Sequence, residues 1–310
     1  MVANSQREAA RYLLKLRDAQ ENFLGFVKLN YPDWEIADFQ HELIDALDKL
    51  EKGTLGTNNL LITMPPRHAK STFGTVLFPA YFMARNPNRY IMSCSYNSQL
   101  ATDFGRQVRS VVEARPIHQA FPDFNLSQDS RAADVWRTEN GGAYFAVGIG
   151  GTTSGRPANL LLVDDPIKSR EDAESMTQRN KTWNYYTSAL ATRLQPEQDH
   201  TPPKQIVILT RWHPDDLAGR LIESEDWQEG RWTHVNFPAI KTKYTGKKIG
   251  RRHLPEDHPM YVKAGQLPDN PYQRYIKEEE TVAYGLIVSL SKNFADENAL
   301  TPESLHLSIN

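Results

Sequence analysis

The chain has 310 residues, 39% of them hydrophobic and 24% charged, with a formal net charge of −2; this composition fits a folded globular protein and excludes a uniformly basic nucleic-acid coat, though not a local basic patch. The single cysteine, Cys94, rules out an intrachain disulfide and fits a reducing compartment. No apolar run approaches the ~20 residues needed to span a bilayer, and the mixed-charge N-terminus lacks the layout of a signal peptide.

Residues 5–50 carry helical periodicity: Leu13, Leu14 and Leu16 cluster, and Phe39, Leu43, Ile44, Leu47 and Leu50 recur at three- to four-residue spacing. The stretch "NYPDWEIAD" between them reads as a turn with aromatic anchors. Strand-like segments follow at 60–63, 89–95, 143–147, 160–163, 205–210 and 233–237. Helical stretches separate several of them: a stripe of Leu100, Phe104, Val108 and Val111, a long candidate over 171–194, and Leu217 with Leu221 after Pro214. Alternation of helices with continuously apolar strands such as "LLLV" indicates an α/β fold with a buried, mainly parallel sheet. After Ile240 the chain turns polar and basic ("KTKYTGKKIGRRHLPEDHP"), as a linker or flexible loop would. Three regions are expected: a helical lead over 1–58, an α/β core over 59–245, and a linker with a short tail over 246–310.

Two motifs carry chemistry. In "LLITMPPRHAKSTFG", residues 60–74, an apolar run leads through Pro65, Pro66, Arg67, His68 and Ala69 to Lys70, Ser71 and Thr72. That is the layout of a phosphate-binding loop, strand–loop–Lys–Ser–helix, with Met64 and Ala69 where the usual glycines stand. Such a loop needs backbone N–H groups converging on the phosphates, a lysine, and a hydroxyl for Mg²⁺. Pro65 and Pro66 are expected to set its shape in place of glycine's freedom. The alternative is an ordinary strand–turn–helix with an exposed lysine. In "NLLLVDDPIK" an apolar strand ends in Asp164 and Asp165, at the strand end where open α/β sheets bind ligands. Asp164 would hold Mg²⁺ and Asp165 would orient an attacking water; the alternative is an Asp-Pro turn.

"MPPRHAKST", "LLLVDDPIK" and "ILTRWHPDDLAGRL" in series resemble the ATPase domain of the large terminase subunit of tailed bacteriophages, over about residues 39–240. The resemblance implies an additional-strand (ASCE) P-loop ATPase fold with a mainly parallel central sheet flanked by helices. It implies ATP and Mg²⁺, with hydrolysis driving double-stranded DNA through a portal into a procapsid. Lys70 would bind the phosphates and Ser71 and Asp164 the metal. Arg67 would contact the γ-phosphate, and Asp165 would stand where the family usually has a catalytic glutamate, one methylene longer. Gln40, after Phe39, resembles the adenine-recognition motif, but serves equally as a surface glutamine on an amphipathic helix. Thr210 matches the coupling motif, or else caps a strand end. Arg156, closing the Gly-rich loop "GIGGTTSGR", is the candidate for a finger reaching into a neighbouring subunit, or is a solvated loop arginine.

The partners implied are DNA phosphates, the portal protein, the small terminase subunit and further copies of this chain in a ring, a pentamer in the family, in the host cytoplasm and without a membrane. The segment 246–310 is too short for the acidic two-metal site of a nuclease domain, so a motor without its own nuclease is expected. Arg193, Lys241, Lys243, Lys247, Lys248, Arg251 and Arg252 are candidate DNA contacts, the last four equally a solubilising linker. Pro214, Asp215 and Asp216 are read as a helix start, with proline in the first turn and acids favoured by the dipole. A helicase-like translocase and a nucleotide-binding assembly protein with little turnover remain the other readings.

Overall fold

A computed structural model describes residues 2–237 and two short strands at 240–241 and 282–283. Three helices lead: α1 (Val2–Glu21), α2 (Phe23–Asn30) and α3 (Asp38–Glu51). Strand β1 (Asn59–Thr63) runs through the phosphate-loop motif into a helix, π-type over Thr72–Leu77 and continuing as α4 (Phe78–Arg85). Then come β2 (Tyr90–Ser95), α5 (Ser98–Val112), α6 (Arg115–Ala120), β3 (Leu126–Arg131), β4 (Val135–Thr138), β5 (Ala143–Gly148) and β6 (Leu160–Asp164). The chain continues through α7 (Arg170–Glu174), α8 (Met176–Tyr185), β7 (Lys204–Leu209), α9 (Leu217–Ile222), α10 (Glu225–Gln228) and β8 (Trp232–Asn236). These elements fall in one compact unit, Met1–Val235, except that β8 ends one residue beyond it. In the second unit, Asn236–Asn310, the described residues form one antiparallel pair, β9 (Ile240–Lys241) with β10 (Val282–Ala283).

The eight strands of the main sheet lie in the order β3-β4-β5-β2-β6-β7-β1-β8. From β5 to β1 the pairing is parallel throughout, and β4 and β3 extend it antiparallel at one edge. The α/β class is as expected, and β7 stands between β1 and β6 as the additional strand of the ASCE arrangement. One face is apolar from Leu61, Met92, Cys94, Leu161, Val163, Val207 and Leu209, and packs on Tyr186, Leu190, Leu217 and Leu221. The other face lies beneath the phosphate-loop helix and α5. Gly74 and Gly105 permit that approach: a Cβ on Gly74 would meet Ile208 at 2.2 Å, and one on Gly105 the Ala133 carbonyl at 2.9 Å and Tyr144 at 3.1 Å. The helical lead docks on the same helix, with the Phe23 and Phe26 rings 5.3 Å from Tyr81.

Local sequence explains most element starts. Asn22, Asn97, Ser169, Ser175, Asp216 and Ser224 each cap the N-terminus of the following helix with a side-chain oxygen, a bond worth about 1 kcal/mol apiece. Three expectations need correction. The long helix over 171–194 is broken at Ser175, whose extended backbone ends α7 and caps α8. The helix after Pro214 begins only at Leu217, with Asp216 as its cap, so Pro214 lies ahead of the first turn and not within it. Strands β3 and β4 were not anticipated, because "LSQDSR" and "VWRT" carry little apolar alternation; pairing to β5 and the stack of Trp136 on Tyr144 (5.1 Å) supply what periodicity does not.

At the opposite end of the strands from the phosphate loop, Arg89 is buried between Glu51 (3.0 Å) and Glu197 (2.9 Å), donates to the Phe82 carbonyl, and lies 4.0 Å over the Phe82 ring. This cluster ties α3, the α4–β2 turn and the segment before β7 together. Arg89→Ala would leave buried Glu197 without its cation and Glu51 with only the longer contact to Arg85 (3.4 Å), and breaking a buried pair this way typically costs about 3–5 kcal/mol. Urea denaturation should register a loss of that order; a loss below ~1 kcal/mol would mean that the cluster is solvated and structurally idle.

Candidate functional site

The site forms where β1, β6 and β7 end. Parallel register sets Thr63 beside Leu209 and Asp164 beside Ile208, and the ladder continues one residue further through Met64 N–H to Leu209 O (3.3 Å) and Asp165 N–H to Ile208 O (2.9 Å). The loop 64–69 therefore leaves the sheet next to the two aspartates and next to Thr210. Thr210 joins both sides: its hydroxyl donates to the Met64 carbonyl (3.2 Å) and its N–H to Asp165 Oδ1 (3.0 Å).

The loop 64–69 takes backbone conformations for which glycine is usual. Arg67 and Ala69 both have left-handed backbone, φ 64° and 63°, so Pro65 and Pro66 do not replace that freedom as expected. Proline restricts its own φ and cannot supply a positive one elsewhere; two L-residues adopt it instead, at about 1–2 kcal/mol each. The helix closes with Phe73 N–H on the Ala69 carbonyl (3.1 Å), and the preceding N–H groups have no helical carbonyl beneath them, as anion binding requires. The His68 ring bonds the Pro66 carbonyl at 2.7 Å and meets the Phe39 ring edge-on at 5.6 Å. The Phe39-Gln40 pair thus adjoins the loop. Gln40 itself is buried, and its Oε1 accepts from Ala37 N–H (3.0 Å), closing the start of α3.

Lys70 is buried and its Nζ lies 2.6 Å from Asp165 Oδ2. With Thr210 on the other oxygen, Asp165 is held at both ends, and it too has left-handed backbone, φ 41°. Asp164 is 1% exposed. Thr75 donates to its Oδ2 (2.8 Å), whereas Oδ1 has no hydrogen-bond partner. Burial, and secondarily the charge of Asp165, push the Asp164 carboxyl up to about 6, against the opposing pull of Lys70, Ser71 and Thr75. A buried carboxylate with a free oxygen and a nearby hydroxyl matches the donor set of Mg²⁺, which takes few protein oxygens and completes its shell with water and substrate phosphate. Among the described residues no group of three or more His, Cys, Asp or Glu lies together. Thr75 escaped the sequence reading; its signal was its place one helical turn beyond Ser71.

Two candidates stand apart. Arg67 projects from the loop and is exposed. Arg156 lies over the Phe145 ring at 5.5 Å, on β5, four strand positions from β1; at ~4.8 Å per strand that is about 19 Å. It is not brought to the phosphate loop of its own chain. The Arg193 side chain bonds the Thr192 hydroxyl (3.3 and 3.1 Å), and its carbonyl accepts from Ala158 N–H (2.9 Å). Lys243, Lys247, Lys248, Arg251 and Arg252 lie outside the described residues, as does the side chain of Lys241. Beyond Thr210, Arg211 pairs with buried Asp216 (2.8 Å), and Asp215 with Arg179 (2.9 Å) and Arg220 (2.6 Å). The turn is stapled to α8 and α9 by charge, beyond the dipole role expected of the two acids.

Two outcomes follow from this geometry. Ala69→Gly should raise unfolding free energy by about 0.5–1 kcal/mol, relief of the left-handed strain less glycine's entropy, read by chemical denaturation; a loss of stability would show the loop unstrained. For Asp164, a folded-state value above the ordinary 3.8 means that ionisation costs folded stability. That cost is complete above about pH 6 and vanishes as the pH falls towards 3.8. Asp164→Asn should therefore melt higher than wild type above pH 6, with the gain fading in acid. An equal gain at every pH would refute the burial penalty.

No family model matches the chain, and no curated protein matches it in sequence. Solved structures do match. The large terminase of bacteriophage HK97 is similar over 69% of this chain and 42% of its own length, at 16% identity and a TM-score of 0.48. A large terminase from a thermophilic bacteriophage, solved in complex with ATP-γ-S, is similar over 66% of this chain and 45% of its own, at 10% identity and a TM-score of 0.40. The ATPase domain of the Thermus phage P74-26 large terminase is similar over 66% of this chain and 87% of its own, at 10% identity and a TM-score of 0.40. The match spans less than half the length of the first two proteins. In fold, this chain is similar to phage large terminases.

Proposed function

We propose that this chain is a Mg²⁺-dependent ATPase and the motor subunit that drives viral double-stranded DNA through a portal into a procapsid. One observation carries the reading: Lys70, Ser71, Asp164, Asp165 and Thr210 converge where three parallel strands end. The loop N–H groups and Lys70 bind the β- and γ-phosphates of ATP. Ser71 and Asp164 hold Mg²⁺, which when bound neutralises charge on the phosphate oxygens. Drawing Lys70 to the phosphates breaks its 2.6 Å contact with Asp165 and leaves Oδ2 free to accept a proton from water. That water's oxygen attacks the γ-phosphorus, and the bond to the β–γ bridging oxygen breaks with its electron pair departing on ADP. Arg67 supports the γ-phosphate from the loop. Because Thr210 bonds both Asp165 and Met64, a change at Asp165 reaches the turn stapled to α8 and α9, a route from hydrolysis to movement.

Arg156 acts in trans on a neighbour in a homo-oligomeric ring, a pentamer at the procapsid, because it lies far from its own phosphate loop. The portal protein and the small terminase subunit are the other partners, and contact to DNA is through phosphates, since a motor must slide over any sequence. The reaction takes place in the host cytoplasm, at the portal vertex.

ATP turnover measured against protein concentration tests the reading. Wild type should rise with concentration, Lys70→Ala should be inactive, and Arg156→Ala should lose about 10³-fold or more at concentrations where wild type assembles. Activity lost only in Lys70→Ala discards the finger and keeps the ATPase. ATP bound without Mg²⁺-dependent turnover under assembling conditions would replace the motor with a nucleotide-binding assembly protein.

A further inference from the structure

Four buried polar atoms on the sheet face beneath the phosphate-loop helix and α5 have no hydrogen-bond partner: Tyr144 Oη on β5, Ser93 Oγ and Ser95 Oγ on β2, and Asp164 Oδ1 on β6. The three strands are adjacent, and their registers align the four residues. Ile91 pairs with Tyr144, Ser93 with both Ala146 and Leu162, and Ser95 with both Gly148 and Asp164. Register partners and alternate residues share a face, so all four side chains emerge on one side. Thr75, reaching down from the phosphate-loop helix to Asp164, and Gly105, against Tyr144 and Ala146, mark what covers that side. Ser93, Ser95 and Tyr144 are fully buried and Asp164 is 1% exposed.

The four atoms form one cluster and not four accidents. Burial pushes the Tyr144 hydroxyl up; the Ser93 hydroxyl opposes that shift, and the charge of Asp164 adds to it. The groups lie near enough to feel one another, Ser93 approaching Tyr144 as a hydrogen-bond partner would, yet none of the four atoms reaches hydrogen-bond geometry. A buried hydroxyl left unpaired costs about 1–3 kcal/mol, whereas the same face carries apolar Ile91 and Leu162 close by. Buried polar groups that lie near one another without a partner are characteristically bridged by water.

We infer that this seam holds ordered water bridging the hydroxyls of Ser93, Ser95 and Tyr144 to Asp164 Oδ1, and that these three are positioning residues for the carboxylate. A carboxylate oxygen has two lone pairs, so Oδ1 can accept from the seam on one side and face a metal on the other. Thr75 fixes Oδ2 and the water fixes Oδ1, which prevents the carboxylate from rotating. The water site stands on geometry alone; its role in metal binding rests on the proposed reading of Asp164 as the Mg²⁺ ligand.

A crystal structure of the full chain at a resolution that displays ordered water decides the first part. Density within hydrogen-bonding distance of Asp164 Oδ1 and of at least one of the three hydroxyls is expected; a dry seam, or direct bonds among the four atoms, overturns the inference. The second part is read from binding of a fluorescent ATP analogue during Mg²⁺ titration, which needs no turnover. Ser95→Ala should raise the Mg²⁺ concentration for half-saturation about tenfold or more, as loss of an outer-shell partner does. Binding of the same analogue in EDTA should stay unchanged, and Ser95→Thr, which keeps the hydroxyl, should restore the wild-type value. Tyr144→Phe serves as a second variant with the same expectation. Unchanged half-saturation in both variants, with water present, refutes the positioning role. If wild type binds the analogue without any Mg²⁺ dependence, the metal reading of Asp164 fails, and the density still judges the water.

Discussion

The parallel pairing of β7 with β1 on one side and β6 on the other brings three strand ends to one level, and the rest of the site depends on it. Thr63 and Leu209 are register partners, as are Asp164 and Ile208. The loop that leaves β1 and the aspartates that end β6 therefore stand one strand apart, with Thr210 between them. Such a sheet must be covered on both faces, which is why its central strands are mostly apolar and why helices lie above and below. Pairing in this order places a lysine, a hydroxyl and two carboxylates at one edge from segments nearly a hundred residues apart in sequence.

Local stability is spent at this edge and recovered elsewhere. Arg67, Ala69 and Asp165 hold left-handed backbone without being glycine, and Asp164 is buried at a cost that raises its carboxyl. Strain of this kind persists only where surrounding structure over-determines it. Here the surroundings are the β1–β7–β6 ladder, the Thr75 bond and the Lys70–Asp165 pair. At the far end of the strands, Arg89 with Glu51 and Glu197 ties helix, turn and loop without taking part in the site.

In the proposed ATPase, the Lys70–Asp165 contact is the first of two states. With lysine and Thr210 on its two oxygens, Asp165 is fully engaged; in the proposed ATPase, phosphate competes for the lysine and frees one oxygen. The same carboxylate holds the first residue of the turn that Arg211–Asp216 and Arg179–Asp215–Arg220 lock to the neighbouring helices. In the proposed ATPase, a change in what Lys70 binds reaches elements that never touch the phosphate, through the Asp165–Thr210 bond and the ion pairs beyond it.

The sequence by itself determined the order of strands β1, β2, β5, β6, β7 and β8, though not the polar strands β3 and β4 or the short helices α6 and α10, and it marked Lys70, Ser71, Asp164, Asp165 and Thr210 as candidates. Apolar runs and strand-end polar residues are local signals, and periodicity reads them directly. It did not decide that Ala69 and Arg67 would take glycine's conformation, because backbone angle is imposed by the closure of the loop and not by residue type alone. Nor did it reveal Thr75 or the seam of Ser93, Ser95 and Tyr144, since a serine inside an apolar strand acquires meaning only when neighbouring strands set what lies beside it. The break at Ser175 and the late start of α9 at Leu217 belong to the same class: caps compete with helix propagation, and packing against the sheet selects the winner. Tertiary structure alone placed the Arg156 guanidinium over the Phe145 ring of β5, a strand four positions from β1, a separation that strand order, invisible in the chain, determines.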